Sequence, residues 1–421
     1  MSSRRNFIRN LSVGLPASII AGEVAANNYN PQVLKSQDKD EAYWSAVRSA
    51  FPLTKNRVYL NNGTFGPSPY PVMETIQKML WDYNERGEYG HTSEYREKIA
   101  QYVKVKSEEI SLTHNTTEGI NVVVWGLPLK RGDEVIITKQ EHVGNALPWL
   151  NRAKLDGIVL KTIDLGQTAA ENLQIIEDAI TSKTRVIAIP HISCTYGLVL
   201  PIKEISAMAR SKGIFTAVDG AHGSGTFDLD LRDLGCDTYS TSCHKWMLGP
   251  NGTGFLYVRE ELLDTIQAYW VGSYSDTGWD LQNNPPSMKG YVATAHRYDF
   301  GSQSAPLYAG VDAAIDFMMT IGQKDVEARV RELSSHLQRG LLALDNKVEM
   351  ITPVEDESKI CMIGFRPRNM DYLAFNKLAQ KNHFRIRVVP EGGLNSIRIS
   401  THIYNSKAQI DDFLAMVEQE A

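Results

Sequence analysis

Asp237-Thr238-Tyr239-Ser240-Thr241-Ser242-Cys243-His244-Lys245-Trp246 reads as a strand that delivers a serine, a histidine and a lysine at its carboxyl end. A turn containing Gly249, Pro250 and Gly252 then leads into the strand-like run 254–258. Just upstream, Ile214-Phe215-Thr216-Ala217-Val218 reads as a buried strand, with Asp219-Gly220-Ala221-His222 directly after it. In an open α/β sheet, ligands bind outside the carboxyl ends of the strands, so Asp219 and the Ser-Cys-His-Lys segment stand where chemistry is expected. Further out, apolar runs at 134–138, 158–163 and 186–189 alternate with helical patterns such as 173–180 and 202–209. Strands alternating with helices at this spacing imply crossover units and a largely parallel sheet covered by helices. Residues 327–344 read as an amphipathic helix. The last hundred or so residues read as a smaller α+β domain ending in a helix over 407–420. The expected division is therefore a large α/β domain, 51–320, and a small one, 321–421.

The chain of 421 residues is long enough for two domains, and 43% hydrophobic with 22% charged residues is ordinary for a soluble fold. A net charge of -5 argues against nucleic acid or an anionic membrane as main partner. Cys194, Cys236, Cys243 and Cys361 have neither metal-ligand spacing nor a disulfide framework, so no metal is expected. The start is different in kind. Ser3-Arg4-Arg5-Asn6-Phe7-Ile8-Arg9 precedes an uncharged, mostly apolar run, 11–22, and the small residues Val24-Ala25-Ala26. A basic start, a short apolar core and a small-residue cleavage site make an export signal over 1–26. The paired arginines followed by Phe-Ile resemble a bacterial twin-arginine signal, which implies the twin-arginine export machinery as a partner and a periplasmic location. That route carries folded proteins. Residues 27–39 read as a polar linker, and 40–50 as a short helix with Tyr43, Trp44 and Val47 on one side.

Seven segments carry a resemblance. They are Leu60-Asn61-Asn62-Gly63-Thr64-Phe65-Gly66, Thr116-Thr117-Glu118-Gly119-Ile120-Asn121, Glu141-His142-Val143-Gly144-Asn145, Asp219-Gly220-Ala221-His222, Cys243-His244-Lys245-Trp246, Tyr298-Asp299-Phe300-Gly301-Ser302-Gln303 and Ser396-Ile397-Arg398-Ile399-Ser400. In this order they resemble the class V aminotransferase family of fold type I, which includes cysteine desulfurases and isopenicillin N epimerase-like proteins. The epimerase-like branch is nearest. The resemblance implies pyridoxal 5'-phosphate as cofactor, a small amino-acid or amine-bearing peptide substrate, and a homodimer with a shared active site.

The resemblance also distributes roles. Lys245 holds the cofactor as a Schiff base, since an amine condenses with an aldehyde, and then shuttles the Cα proton. Asp219 faces the pyridine nitrogen and keeps it protonated. Thr116 and Thr117 open a helix whose N-terminus offers N–H groups to the phosphate, with Ser242 and His244 as further donors. His142 stacks on the cofactor ring, and His222 bonds the ring hydroxyl or supports its neighbour. Ser302 reaches the phosphate of the other subunit. Arg398 grips the substrate carboxylate with its planar guanidinium. Arg385 and Arg387 read as ordinary surface residues.

Two departures bear on the reaction. Where the desulfurases resembled have an asparagine contacting the ring, this chain reads His191-Ile192-Ser193-Cys194-Thr195-Tyr196-Gly197, so Ser193 or Thr195 makes the contact or it is lost. Where they carry a nucleophilic cysteine, it reads Val388-Val389-Pro390-Glu391-Gly392-Gly393-Leu394-Asn395. The expected activity is therefore transamination, epimerisation or elimination at Cα. A cysteine desulfurase or selenocysteine lyase, or a non-catalytic binding protein on the same fold, is the alternative.

Overall fold

Thr184–Pro190 is buried at six of its seven positions, and neighbouring residues go to opposite sides of it. Ile187 and Ile189 join one apolar core; Val186 and Ala188 join another. Such burial on both faces is what a strand inside a helix-covered parallel sheet requires. The computed structural model describes residues 31–421, so the expected export signal 1–26 lies outside the described residues. The strands of the large sheet are β1 (Ile110–Thr113), β2 (Glu134–Thr138), β3 (Val159–Ile163), β4 (Thr184–Pro190), β5 (Phe215–Asp219), β6 (Thr238–Ser242) and β7 (Gly254–Val258). Their spatial order is β1-β7-β6-β5-β4-β2-β3. Only β7 runs against the rest, pairing antiparallel with both β1 and β6. The sequence reading anticipates every one of these strands except the edge strand β1.

A second sheet follows, with strands β8 (Val348–Met350), β9 (Met362–Pro367), β10 (Arg387–Val389) and β11 (Ser396–Ser400) in the order β8-β9-β11-β10. Its core is aromatic, with Phe365, Phe375, Phe384 and Phe413 meeting largely edge to face. Helix Gln323–Leu342 leads into this part, after Gly322 takes a φ of 103° behind helix Ala305–Ile321. Leu60, far upstream, is also buried in this second core, and Val58–Tyr59 pairs in parallel with Phe384–Arg385. The segment 58–66 is thereby stitched between the two sheets. The closing helix is Lys407–Glu420, with Ser406 and Gln409 forming a reciprocal capping box.

The short helix Glu41–Arg48 buries Tyr43, Trp44 and Val47, the face read from sequence. The linker reading of 27–39 needs correction. Pro31–Lys35 forms a 3-10 turn, and Leu34 is buried against the main core, so a single apolar residue anchors an otherwise polar stretch.

Candidate active site

The carboxyl ends of β1, β2, β4, β5 and β6 open on a cavity of about 330 Å3 whose far wall is the second sheet. Of the ten residues expected at the site, nine line it: Thr116, Thr117, His142, Asp219, His222, Ser242, His244, Lys245 and Arg398. Ser302 does not; it is exposed, beside Gly301 with a φ of 76°.

Two helix N-termini converge here. Asn115 caps helix Thr116–Gly126 by accepting from the Glu118 N–H at 3.0 Å. His142 caps helix Val143–Asp156, its Nδ1 accepting from the Gly144 N–H at 3.0 Å. A Cβ at Gly144 would stand 2.4 Å from Thr117 Oγ1, so only glycine lets the two ends come this close. The positive ends of two helix dipoles then border the same cavity. Ser242 joins them from β6, accepting from the Thr116 N–H at 2.9 Å and bonding the Thr116 hydroxyl at 2.7 Å. His244, next to Lys245, has a buried Nδ1 with no partner among the described residues. Its ring is stacked on Phe65, inclined by 26° with centroids 6.3 Å apart. An unpartnered ring nitrogen, two hydroxyls and a helix N-terminus fit a phosphate group.

Lys245 is held by its backbone as much as by its side chain. The Gly66 N–H donates to the His244 carbonyl at 2.8 Å, and a Cβ on Gly66 would stand 1.8 Å from the Lys245 carbonyl oxygen. Segment 61–66 thus locks the lysine turn. Burial lowers the Lys245 pKa, with Asp219 opposing the shift, so the amine is drawn toward its neutral form. Asp219, also buried, accepts from the Ala221 N–H at 2.9 Å. Burial pushes its pKa up, while Lys245 and that N–H pull it down.

His222 is the best-defined proton holder in the cavity. Trp246 Nε1–H donates to its Nδ1 at 3.0 Å. An indole can only donate, so Nδ1 carries no proton. Burial, reinforced by Lys245, holds the His222 pKa well below the usual value. The neutral ring must then carry its proton on Nε2, which faces Lys245 Nζ at 3.5 Å. Trp246 is fixed in turn, with its carbonyl bonded to His402 Nε2 at 3.0 Å and its ring stacked on that imidazole. The sequence reading includes Trp246 only as part of a motif and misses this role.

Arg398, 1% exposed on β11, forms the opposite wall. It donates to the Cys194 carbonyl at 2.5 Å and to Thr64 Oγ1 at 3.1 Å, while its Nε has no partner among the described residues. Burial and then Arg387 lower its pKa, but a guanidinium starts so far above neutrality that it stays charged at pH 7.

One expectation is corrected, and one alternative left open is narrowed. Arg387 is no ordinary surface residue: it lines the cavity directly across from Arg398 in the β10–β11 pairing. No local pattern marks it; what singles it out is its register opposite Arg398. Ser193 and Thr195 do not reach the cavity; their buried hydroxyls bond each other at 2.8 Å, and Cys194 between them lines it instead. Burial pushes the Cys194 thiol up to about 11.

Comparison with known proteins agrees with this geometry. The chain is 28% identical to a probable cysteine desulfurase of Methanothermobacter thermautotrophicus, over 86% of this chain and 94% of that one. It is 29% identical to the isopenicillin N epimerase of Streptomyces clavuligerus, over 88% and 96%. Its fold matches a cysteine desulfurase of Thermococcus onnurineus with a TM-score of 0.80 and 25% identity, covering 89% of this chain and 96% of that one. The cystine C–S lyase C-DES, solved with its product cysteine persulfide, matches with a TM-score of 0.80 and 26% identity, covering 88% and 99%. A family description, Aminotransferase class-V, matches residues 58–413, and by that match the chain belongs to the class-V aminotransferase family of pyridoxal-phosphate enzymes, built on the fold-type I scaffold.

Proposed function

We propose that the enzyme breaks a bond at Cα of an α-amino acid or amine-bearing peptide without forming a persulfide on the protein. One observation carries this reading: Lys245, Asp219 and Arg398 share a cavity whose one lining cysteine, Cys194, is a buried thiol with a pKa raised to about 11. Bound there, pyridoxal phosphate supplies an electron sink for the pair left when a bond to Cα breaks. Thr116, Thr117, Ser242 and His244 would hold the phosphate end, and His142 would cover the ring. Asp219 would serve as the acidic partner of the ring nitrogen, its charge favoured by Lys245 and the Ala221 N–H against the effect of burial. Arg398 receives the substrate carboxylate on its unpartnered Nε edge. The Lys245 amine, drawn toward neutrality by burial, takes the proton from Cα and returns it, and His222 Nε2–H orients that amine. Transamination, epimerisation and elimination all need these steps; the epimerase relative and the C–S lyase neighbour are similar to this chain over most of their length.

The second reading is cysteine desulfuration through Cys194, favoured by its place in the cavity and by the desulfurase relatives. A thiolate is the nucleophile in that route, and burial keeps this thiol protonated. Incubating the holoenzyme with a panel of amino acids, while following cofactor absorbance and sulfide release, separates the two. The first reading expects spectral change without sulfide dependent on Cys194. Sulfide from cysteine that is lost in Cys194→Ala would overturn it.

A homodimer sharing its sites belongs to the same proposal. Exposed Met73, Leu80 and Trp81 on helix Tyr70–Arg86, with exposed Tyr269, Trp270 and Val271, offer apolar surface for a partner, and exposed Ser302 is free to reach the partner's phosphate. A fully active monomer at high dilution would contradict this.

A further inference from the structure

We propose that the substrate is an amino acid with a second carboxylate, which Arg387 takes up in exchange for Glu391. This rests on the reading above, in which Arg398 holds the α-carboxylate.

Arg387 and Arg398 are directly opposed on the antiparallel strands β10 and β11, so their side chains leave the same face about 5 Å apart. Like charges so placed repel, and Arg398 is too buried for water to screen the repulsion. Both reach the one Cys194 carbonyl, Arg398 at 2.5 Å and Arg387 at 3.3 Å. A single carbonyl cannot fill two guanidinium forks, and Arg398 Nε is left over. Two buried or half-buried cations at one wall need anions.

The chain itself supplies one, through a single oxygen. Glu391 Oε1 accepts from Arg387 Nη2, but Oε2 is buried with no partner among the described residues. That is a one-pronged contact with half the carboxylate desolvated for nothing in return. Glu391 also opens a single 3-10 turn, Glu391–Gly393, in which Gly392 and Gly393 have φ of 60° and 72°. Both glycines are exposed, and Asn395 follows with a φ of 46°. Leu394 anchors the end of the turn on the main core and its carbonyl accepts from Arg366, but open space surrounds Gly392 and Gly393, so the Glu391 side chain can swing outward while β10, β11 and Leu394 stay fixed. A substrate carboxylate binding Arg387 with both oxygens replaces a poor contact with a good one and returns Glu391 to water. The charge balance improves: two guanidiniums face one glutamate at rest, leaving one positive charge unmatched, and face two substrate carboxylates when bound.

The test uses holoenzyme and follows cofactor absorbance on titration with glutamate, glutamine, aspartate, asparagine and ornithine. Glutamate or aspartate is expected to bind at least tenfold more tightly than its amide. In Arg387→Met that preference should shrink to within about threefold, and in Glu391→Gln it should grow at least threefold, because the internal competitor is gone. The Glu391→Gln result stands even if Arg387→Met folds poorly. Equal binding of acid and amide by the native enzyme, or a preference that survives Arg387→Met, overturns the proposal. So does a preference for ornithine that Glu391→Gln abolishes, since Glu391 would then be the recognition group. Responses to these amino acids without acid-over-amide preference defeat only this inference. Silence toward all five overturns this inference and, with it, a free amino acid as substrate in the underlying reading.

Discussion

Trp246→Phe isolates the tautomer of His222 from everything else in the cavity. The indole is fully buried, so the substitution removes the one donor to His222 Nδ1 and strands that nitrogen away from water. An unsatisfied buried acceptor costs about 1–3 kcal/mol. The stacked His402 ring loses part of its contact as well, adding roughly 1 kcal/mol for the smaller side chain. Denaturant unfolding should therefore show a loss of about 2–4 kcal/mol. The second consequence is chemical. Without the indole, the proton of His222 is free to sit on either nitrogen, and Nε2–H no longer stands opposite Lys245 Nζ by necessity. Turnover should drop about tenfold, equivalent to about 1.4 kcal/mol, with the pH midpoint of the cofactor's visible band displaced. KM should change little, because Arg398 is untouched. A variant that loses stability yet keeps its kcat and its spectral pH midpoint would refute the tautomer argument and leave Trp246 as packing only.

Arg398→Lys keeps the charge but loses the fork. KM for the amino-acid substrate should rise by roughly one to two decades, or about 1.5–3 kcal/mol, while the visible spectrum without substrate stays native. An unchanged KM in steady-state assays would remove Arg398 from the substrate site. Acid should destabilise the fold between pH 6.5 and 4. His191 and His402 are buried with pKa values lowered to about 3 and about 4, below the unfolded value near 6.5. A depressed folded pKa gives stability that is present above 6.5 and lost as pH falls, at about 1.4 kcal/mol per pH unit for each histidine. A urea midpoint that is flat across this window would contradict the neutral assignments. Replacing Arg4 and Arg5 by lysine should retain the protein in the cytoplasm, as cell fractionation would reveal; export that persists would dismiss the twin-arginine reading.

The parts of the fold with strong local periodicity were legible in the chain. β2 and β7 fall on the expected runs 134–138 and 254–258, and helix Lys407–Glu420 on 407–420. β1 was not, because Ile-Ser-Leu-Thr is too short to show a period. The site was readable where chemistry and strand ends coincide, as at Asp219 and Lys245. Arg387 was missed because its meaning comes from cross-strand register with Arg398, which no local pattern carries. Trp246 was missed for a related reason: its donor role depends on His222, 24 residues away in sequence.

Borohydride reduction of the holoenzyme, followed by peptide mapping, tests the assignment of Lys245 most directly. Reduction should fix the cofactor to the peptide containing Lys245, and Lys245→Ala should be colourless with nothing fixed. Cofactor fixed to another lysine, or an unchanged visible spectrum in Lys245→Ala, would contradict it.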